Sequence, residues 1–285
     1  NKRRALRPRR SRLGVAMSVL EDLRLDGRVV LLAGAGRGLG RAMALEFAAA
    51  GAHVVCAARS LGEIEETAAL VRECGCRSIA VSTDVTDTDA VSALVSATLN
   101  EFSRIDVLVN NAGARTAGMG KTLPEIDDYD WQLGIDVNLS SQVYCLRAVI
   151  PHMVATGGGK IINVASRFGL RGGVENYMYV AAKAGVINIT RSLAVTYGPA
   201  GIQVNCIAPG SFPHTSDAEE RRRRGKDIPV GRVGRAWEMG PLAVFLASDA
   251  SNGINGATIL QDGGGLAGGI GPTGWAPLIP LPEAL

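Results

Sequence analysis

A single α/β domain, a doubly wound seven-stranded parallel sheet with helices on both faces, is predicted by three features of the chain. Short β-branched runs alternate with longer helical patterns from residue 28 onward. Those runs are apolar almost throughout, as strands covered on both faces must be. A glycine-rich turn joins the first run to the first helical stretch, the order in which a strand hands over to a phosphate-binding helix N-terminus.

The strands are expected at 28–33, 53–57, 78–82, 105–109, 160–164, 202–207 and 257–260. Helices are expected between them at 39–50, 60–73, 87–102, 128–155, 176–198 and 236–248. Regular alternation of this kind describes one domain rather than two. Two segments break the rhythm. Residues 211–232 are polar and carry Glu219 and Glu220 followed by Arg221 to Arg224, which reads as a loop-and-helix lid. Residues 266–285 are rich in Gly, Pro and apolar side chains. They suit neither a regular helix nor a central strand, so a tail packed on this subunit or a neighbour is expected. Residues 1–16 form a basic extension, expected to be mobile, with Met17 a natural start. The organisation is thus extension 1–16, domain 17–265 including the lid, and tail 266–285.

Composition excludes several classes. The 285 residues are 47% hydrophobic and 20% charged, too apolar for a disordered chain. No uncharged apolar run is long enough to span a membrane. The net charge is +3, but Lys2, Arg3, Arg4, Arg7, Arg9, Arg10 and Arg12 lie in the extension, and without them it is −4. The body therefore offers no electrostatic reason to bind nucleic acid. Of five cysteines only Cys74 and Cys76 are close, and His53, His152 and His214 do not join them as zinc ligands. Reduced thiols, no metal and a cytoplasmic protein are expected.

The glycine turn reads Gly34, Gly36, Gly38, Gly40, with Arg37 and Leu39 between. This G-x-x-x-G-x-G spacing resembles the short-chain dehydrogenase/reductase family, with Ala33 where that family usually has Thr. The resemblance extends through Asp84-Val85, Asn110-Asn111-Ala112-Gly113, Pro209-Gly210 and Gln261-Asp262-Gly263-Gly264. It implies a Rossmann-type domain whose cofactor contacts include Gly34, Gly36, Arg37, Gly38, Leu39, Gly40, Arg59, Ser60, Asp84, Val85, Asn111, Ala112, Gly113, Tyr179, Lys183, Pro209 and Gly210. The tip of the second strand reads Ala58-Arg59-Ser60, with no acid to take a ribose 2′-hydroxyl. Arg37 and Arg59 together suit a dianionic 2′-phosphate, which predicts NADP(H) over NAD(H).

Tyr179 and Lys183 stand four apart in a helical pattern, on one face; Tyr177, six from the lysine, points elsewhere. Ser166 follows the strand at 160–164, and Asn138 lies in the preceding long helix. By resemblance these four are catalytic. A ketone accepting hydride needs a group to bind and protonate its oxygen. A lysine charge about 4 Å away at an effective dielectric near 20 is worth roughly 4 kcal/mol, about three pK units of help to a phenol. The resemblance gives Lys183 the nicotinamide ribose, Ser166 the carbonyl, and Asn138 a water joining Lys183 to solvent. His214, at the position where the family usually has Thr, is read as a lid residue. The expectation is an NADP(H)-dependent oxidoreductase for a small carbonyl or secondary alcohol, as a homotetramer with 128–155 and 176–198 at one interface. The alternative is a catalytically silent dinucleotide-binding regulator. Within the family the chain resembles both 3-oxoacyl-carrier-protein reductases and sugar or polyol dehydrogenases, and its sequence does not separate them.

Overall fold

The computed structural model describes residues 19–114 and 118–267; the basic extension and most of the apolar tail lie outside them. Seven strands form one parallel sheet in the order β3-β2-β1-β4-β5-β6-β7. They are β1 (Val29–Ala33), β2 (His53–Ala58), β3 (Ser78–Ser82), β4 (Val107–Asn110), β5 (Gly159–Val164), β6 (Ile202–Pro209) and β7 (Thr258–Gln261). The order reverses between β1 and β4, so the crevice at their carboxyl ends is the switch point where such sheets bind ligands.

The α-helices are α1 (Val19–Asp22), α2 (Gly38–Ala49), α3 (Leu61–Glu73), α4 (Thr88–Phe102), α5 (Asp128–Ile135), α6 (Ser141–Thr156), α7 (Tyr177–Tyr197), α8 (Ala218–Gly225) and α9 (Met239–Ala247). Side chains alternate across the sheet, and the core divides accordingly. Val30 and Leu32 of β1 pack with Met43 and Phe47 of α2, Ile64 of α3 and Ala243 of α9. Val29 and Leu31 face the other way, onto Leu94 of α4 and Val149 and Met153 of α6.

The single helix expected at 128–155 is broken. A π-turn, Asp136–Ser140, separates α5 from α6 and holds Asn138. Strand β4 begins two residues later than expected; just before it, Asp106 gives its amide to the Val29 carbonyl at 3.0 Å and takes the Val29 amide on its carboxylate at 2.8 Å. The last helical stretch opens as a 3-10 turn, Ala236–Glu238, whose Glu238 bonds back to the Arg235 amide at 2.7 Å. A polar chain crosses the core: Asn110 Nδ2 donates to Asn163 Oδ1 at 2.9 Å, and Asn163 Nδ2 donates to Thr190 Oγ1 at 3.0 Å. It ties β4 to β5 and β5 to α7.

Candidate active site

The glycine turn is shaped by what touches it. Gly34 has φ +87°, and a Cβ there would lie 2.8 Å from the Ala112 amide nitrogen. Asn111 Nδ2 donates to the Gly34 carbonyl at 2.8 Å, binding the turn to the end of β4. A side chain at Gly40 would overlap that same carbonyl; glycine lets α2 start this close to β1. Arg37 is the N-cap of α2 and its side chain makes no capping bond. The first amides and positive dipole end of a twelve-residue helix thus meet a turn stripped of side chains. This cradle fits a dinucleotide diphosphate.

Arg41, which the sequence did not single out, holds the turn in shape. Its Nε and Nη2 donate to the Gly36 carbonyl at 3.0 and 2.8 Å, and Nη2 also meets Glu66 Oε2 at 2.8 Å. Thr67 Oγ1 donates to the Ala35 carbonyl at 3.1 Å. Glu66 and Thr67 come from α3, far along the chain, so spacing alone does not announce how they and Arg41 hold the turn.

At the outer end of the crevice Arg37, Arg59, Ser60 and Asp84 are exposed, while Leu39 and Val85 are half-buried. Partial burial opposes ionisation of Asp84, but hydrogen bonds from the Thr86 amide and hydroxyl, with the Arg59 charge, hold the carboxyl below its ordinary value. Arg59 and Asp84 therefore sense each other. A second carboxylate stands here too. Glu63 Oε2 lies 2.9 Å from where a Gly36 Cβ would be, so the neighbourhood of the turn holds an acid that the strand-tip reading passed over.

The four candidate catalytic residues gather where β5 ends against α7. Ser166 follows β5, is nearly buried, and caps the short turn Arg167–Gly169 by accepting the Phe168 amide at 3.2 Å. A side chain at Gly169 would meet the Lys183 carbonyl, which shows how closely this turn lies on α7. Lys183 is 3% exposed; its Nζ donates to the Val164 carbonyl at 3.1 Å and stands 5.7 Å from the Tyr179 ring centroid. Burial pushes the Lys183 ammonium down to about 8, with a small opposing effect from Cys206. Tyr179 is half-buried, and the Phe168 ring meets it edge-on with centroids 6.4 Å apart. Tyr177 is exposed.

Asn138 is fully buried, and its side chain is committed to protein. Nδ2 donates to the Ala114 and Gly134 carbonyls at 2.9 and 3.0 Å, and Oδ1 accepts the Ala114 amide at 3.2 Å. The segment after the Asn-Asn-Ala-Gly run is thereby pinned to the π-turn. A Cβ at Gly113 would lie 3.1 Å from Asn138 Oδ1 and 3.3 Å from Lys183 Nζ, so Gly113, Asn138 and Lys183 converge on one point.

Pro209 ends β6, and the Gly210 amide donates to the Gln261 carbonyl at 2.9 Å. His214 stands closer to the crevice than a lid residue read from sequence suggests: a side chain at Gly38 would collide with its ring. Among the described residues no cluster of three or more metal-ligating side chains occurs, and no helix is long and apolar enough to cross a membrane. The five cysteines are unpaired.

A helix N-terminus opening into a glycine cradle at a switch point, with serine, tyrosine and lysine gathered at one crevice wall, defines a nucleotide-binding α/β protein equipped for acid–base chemistry. A family model described as Enoyl-(Acyl carrier protein) reductase matches residues 34–265. The chain is 40% identical over 241 residues to the cis-4-hydroxycyclohexanecarboxylate dehydrogenase of Sinomonas cyclohexanicum, covering 83% of this chain and 96% of that one. A gluconate 5-dehydrogenase from Burkholderia cenocepacia J2315, solved with NADP and tartrate, superposes with a TM-score of 0.80 at 34% identity, covering 88% and 99% of the two chains. A 7α-hydroxysteroid dehydrogenase solved with NADH gives 0.82 at 28% identity, covering 87% and 98%. The chain belongs to the short-chain dehydrogenase/reductase family and is an oxidoreductase acting on CH–OH groups.

Proposed function

We propose that the chain transfers hydride between NADP(H) and a secondary alcohol or its ketone, with Tyr179 as the acid and base. The observation that carries this reading is the convergence of Ser166, Tyr179 and Lys183 where β5 meets α7, beside a cradle fitted to a dinucleotide. The cofactor supplies the hydride and the protein supplies placement and charge. Ser166 holds the substrate oxygen, Tyr179 gives it a proton, and Lys183 favours the phenolate that results and binds the ribose. The Asn138 side chain is occupied by Ala114 and Gly134, so any water at this position falls to the backbone of the π-turn.

NADP(H) over NAD(H) rests on Arg37 and Arg59, both exposed at the outer end of the crevice. Glu63 favours the second reading, NAD(H), since a carboxylate repels a 2′-phosphate and accepts from a 2′-hydroxyl. The Burkholderia structure holds NADP and the steroid dehydrogenase NADH. We further assign a cytoplasmic homotetramer built on the outer faces of α6 and α7, where Val154 and Val195 are 45% and 80% exposed.

The test is nucleotide turnover with a panel holding gluconate, 4-hydroxycyclohexanecarboxylate, 2,3-butanediol and their ketones. Tyr179→Phe is expected to lower kcat by about 10² to 10⁴ while NADPH affinity stays within a few-fold. Tight NADPH binding with no turnover of any panel member by the unaltered chain would instead mark a silent dinucleotide sensor.

A further inference from the structure

Arg167 directly follows Ser166, in the short turn that Ser166 caps. Its guanidinium lies over the Phe168 ring at 5.2 Å from the centroid, and Phe168 in turn abuts the Tyr179 ring. The cation is thus one aromatic ring removed from the candidate acid. It is half-buried, yet it forms no ion pair with any described residue.

Its charged neighbours make this placement costly. Burial pulls the Arg167 guanidinium below its ordinary value, Arg171 and Arg224 add like charge, and Asp262 alone opposes them. Asp262 is already spoken for: its oxygens accept the Gly264 amide at 3.0 Å and the Leu266 amide at 2.8 Å. Arg224, on lid helix α8, pairs with Glu220 at 3.2 Å on an exposed surface. A guanidinium does not shed its proton to escape burial. Stacking on Phe168 compensates in part, but a purely structural arginine gains nothing from two further cations nearby.

We propose that Arg167, backed by Arg171 and by Arg224 of the lid, is an anion subsite beside Ser166 and Tyr179, so that the alcohol or ketone this enzyme takes carries a carboxylate. The planar fork of Arg167 suits two carboxylate oxygens at once. The lid helix then closes on the charged end of the substrate while the reacting carbon faces Tyr179. This inference rests on the oxidoreductase reading above, and the experiment separates the two.

Two measurements on the NADP-loaded protein decide it. The first is the ratio of kcat/KM for 4-hydroxycyclohexanecarboxylate to that for its carboxamide. The acid is expected to win by about tenfold or more, Arg167→Met to bring the ratio close to one, Arg167→Lys to keep part of it, and Arg224→Met to reduce it a few-fold. The second needs no turnover. Cyclohexanecarboxylate, but not cyclohexanecarboxamide at matched ionic strength, is expected to raise the melting midpoint, and Arg167→Met or Arg167→Lys to shrink that rise. A ratio near one in the unaltered enzyme, or one that Arg167→Met leaves in place, overturns the subsite while the oxidoreductase reading stands. If neither compound nor any member of the panel above turns over, the hydride-transfer reading falls, and the melting shift still decides whether Arg167 binds a carboxylate.

Discussion

Two lysines buried at opposite ends of β5 have the same shifted acidity and different surroundings. Lys160 lies near the amino end of the strand and Lys183 meets the carbonyl of Val164 at the other, about 13 Å away at ordinary strand rise. Burial pushes each down to about 8; at Lys160 Asp249 opposes the shift and Arg28 adds to it. Yet Lys160 Nζ bonds Asn252 Oδ1 at 2.8 Å, Ser251 Oγ at 3.2 Å and Gln203 Oε1, using all three donors on side chains. Lys183 gives one bond to a backbone carbonyl and faces Gly113, Asn138 and the Tyr179 ring. The contrast runs along the whole sheet. At the amino end Arg28 is tied to the Ala247 carbonyl at 3.0 Å and to Asp249 at 2.8 Å. At the carboxyl end Arg37 and Arg59 stand exposed. A shifted pKa alone does not separate structure from chemistry; what does is whether the protein itself uses up the group's hydrogen bonds.

Lys183→Met gives the largest effect this contrast predicts: kcat/KM lower by about 10³ or more with the urea midpoint at neutral pH unmoved or raised, since the buried ammonium is lost. Lys160→Met should invert that outcome. It leaves the half-buried Gln203 acceptor without its donor, while exposed Asn252 turns to water, costs about 1–2 kcal/mol of stability, and leaves kcat/KM within a few-fold. Equal stability losses from the two variants would break the comparison.

Arg59→Asp comes next. It is expected to move the NADPH/NADH ratio of kcat/KM toward NADH by about 10- to 100-fold with no change in melting midpoint. Equal use of both cofactors by the unaltered chain would defeat the argument from Arg37 and Arg59.

The pH dependence sharpens the comparison from both sides. Ketone reduction should slow as pH rises through about 8, because the Lys183 ammonium is lost there; the rate falls by up to about tenfold per unit beyond it. Stability moves the other way. Both lysines hold folded values near 8 against about 10.4 in the unfolded chain, so the unfolded state binds more protons in that window. Their contribution is complete above the unfolded value and is lost as pH falls through 8. Urea titrations between pH 8 and 9, below the range where the buried thiols Cys56, Cys145 and Cys206 reverse the trend, should show stability rising with pH, less steeply in Lys160→Met.

Much of the fold is legible in the sequence. Strand β3 falls where its β-branched run does, and α2 and α7 begin within one residue of expectation, because near-continuous apolar runs and a glycine turn leave little choice of register. Tyr179 and Lys183 were legible because helical spacing alone places them together. Arg41, Glu63 and Arg167 were not. Each acquires its meaning from partners on other elements or from burial, and an exposed arginine on a helix face would look the same in sequence. The π-turn was hidden for a related reason. Residues 128–155 read as one uninterrupted helical pattern, and the π-turn holds Asn138 where it exchanges hydrogen bonds with Ala114, a partner far off in sequence.

That turn has a geometric outcome of its own. A π-turn closes with i→i+5 bonds, so the surplus residue between Asp136 and Ser140 is taken up inside one widened turn and α5 stays nearly in phase with α6. Deleting a single residue there would restore an even ladder with the far ends of α5 and α6 nearly in phase, and would remove the widened turn that presents Asn138 to Ala114. The position of Asn138, and with it the point where it converges with Gly113 and Lys183, is set by one surplus residue.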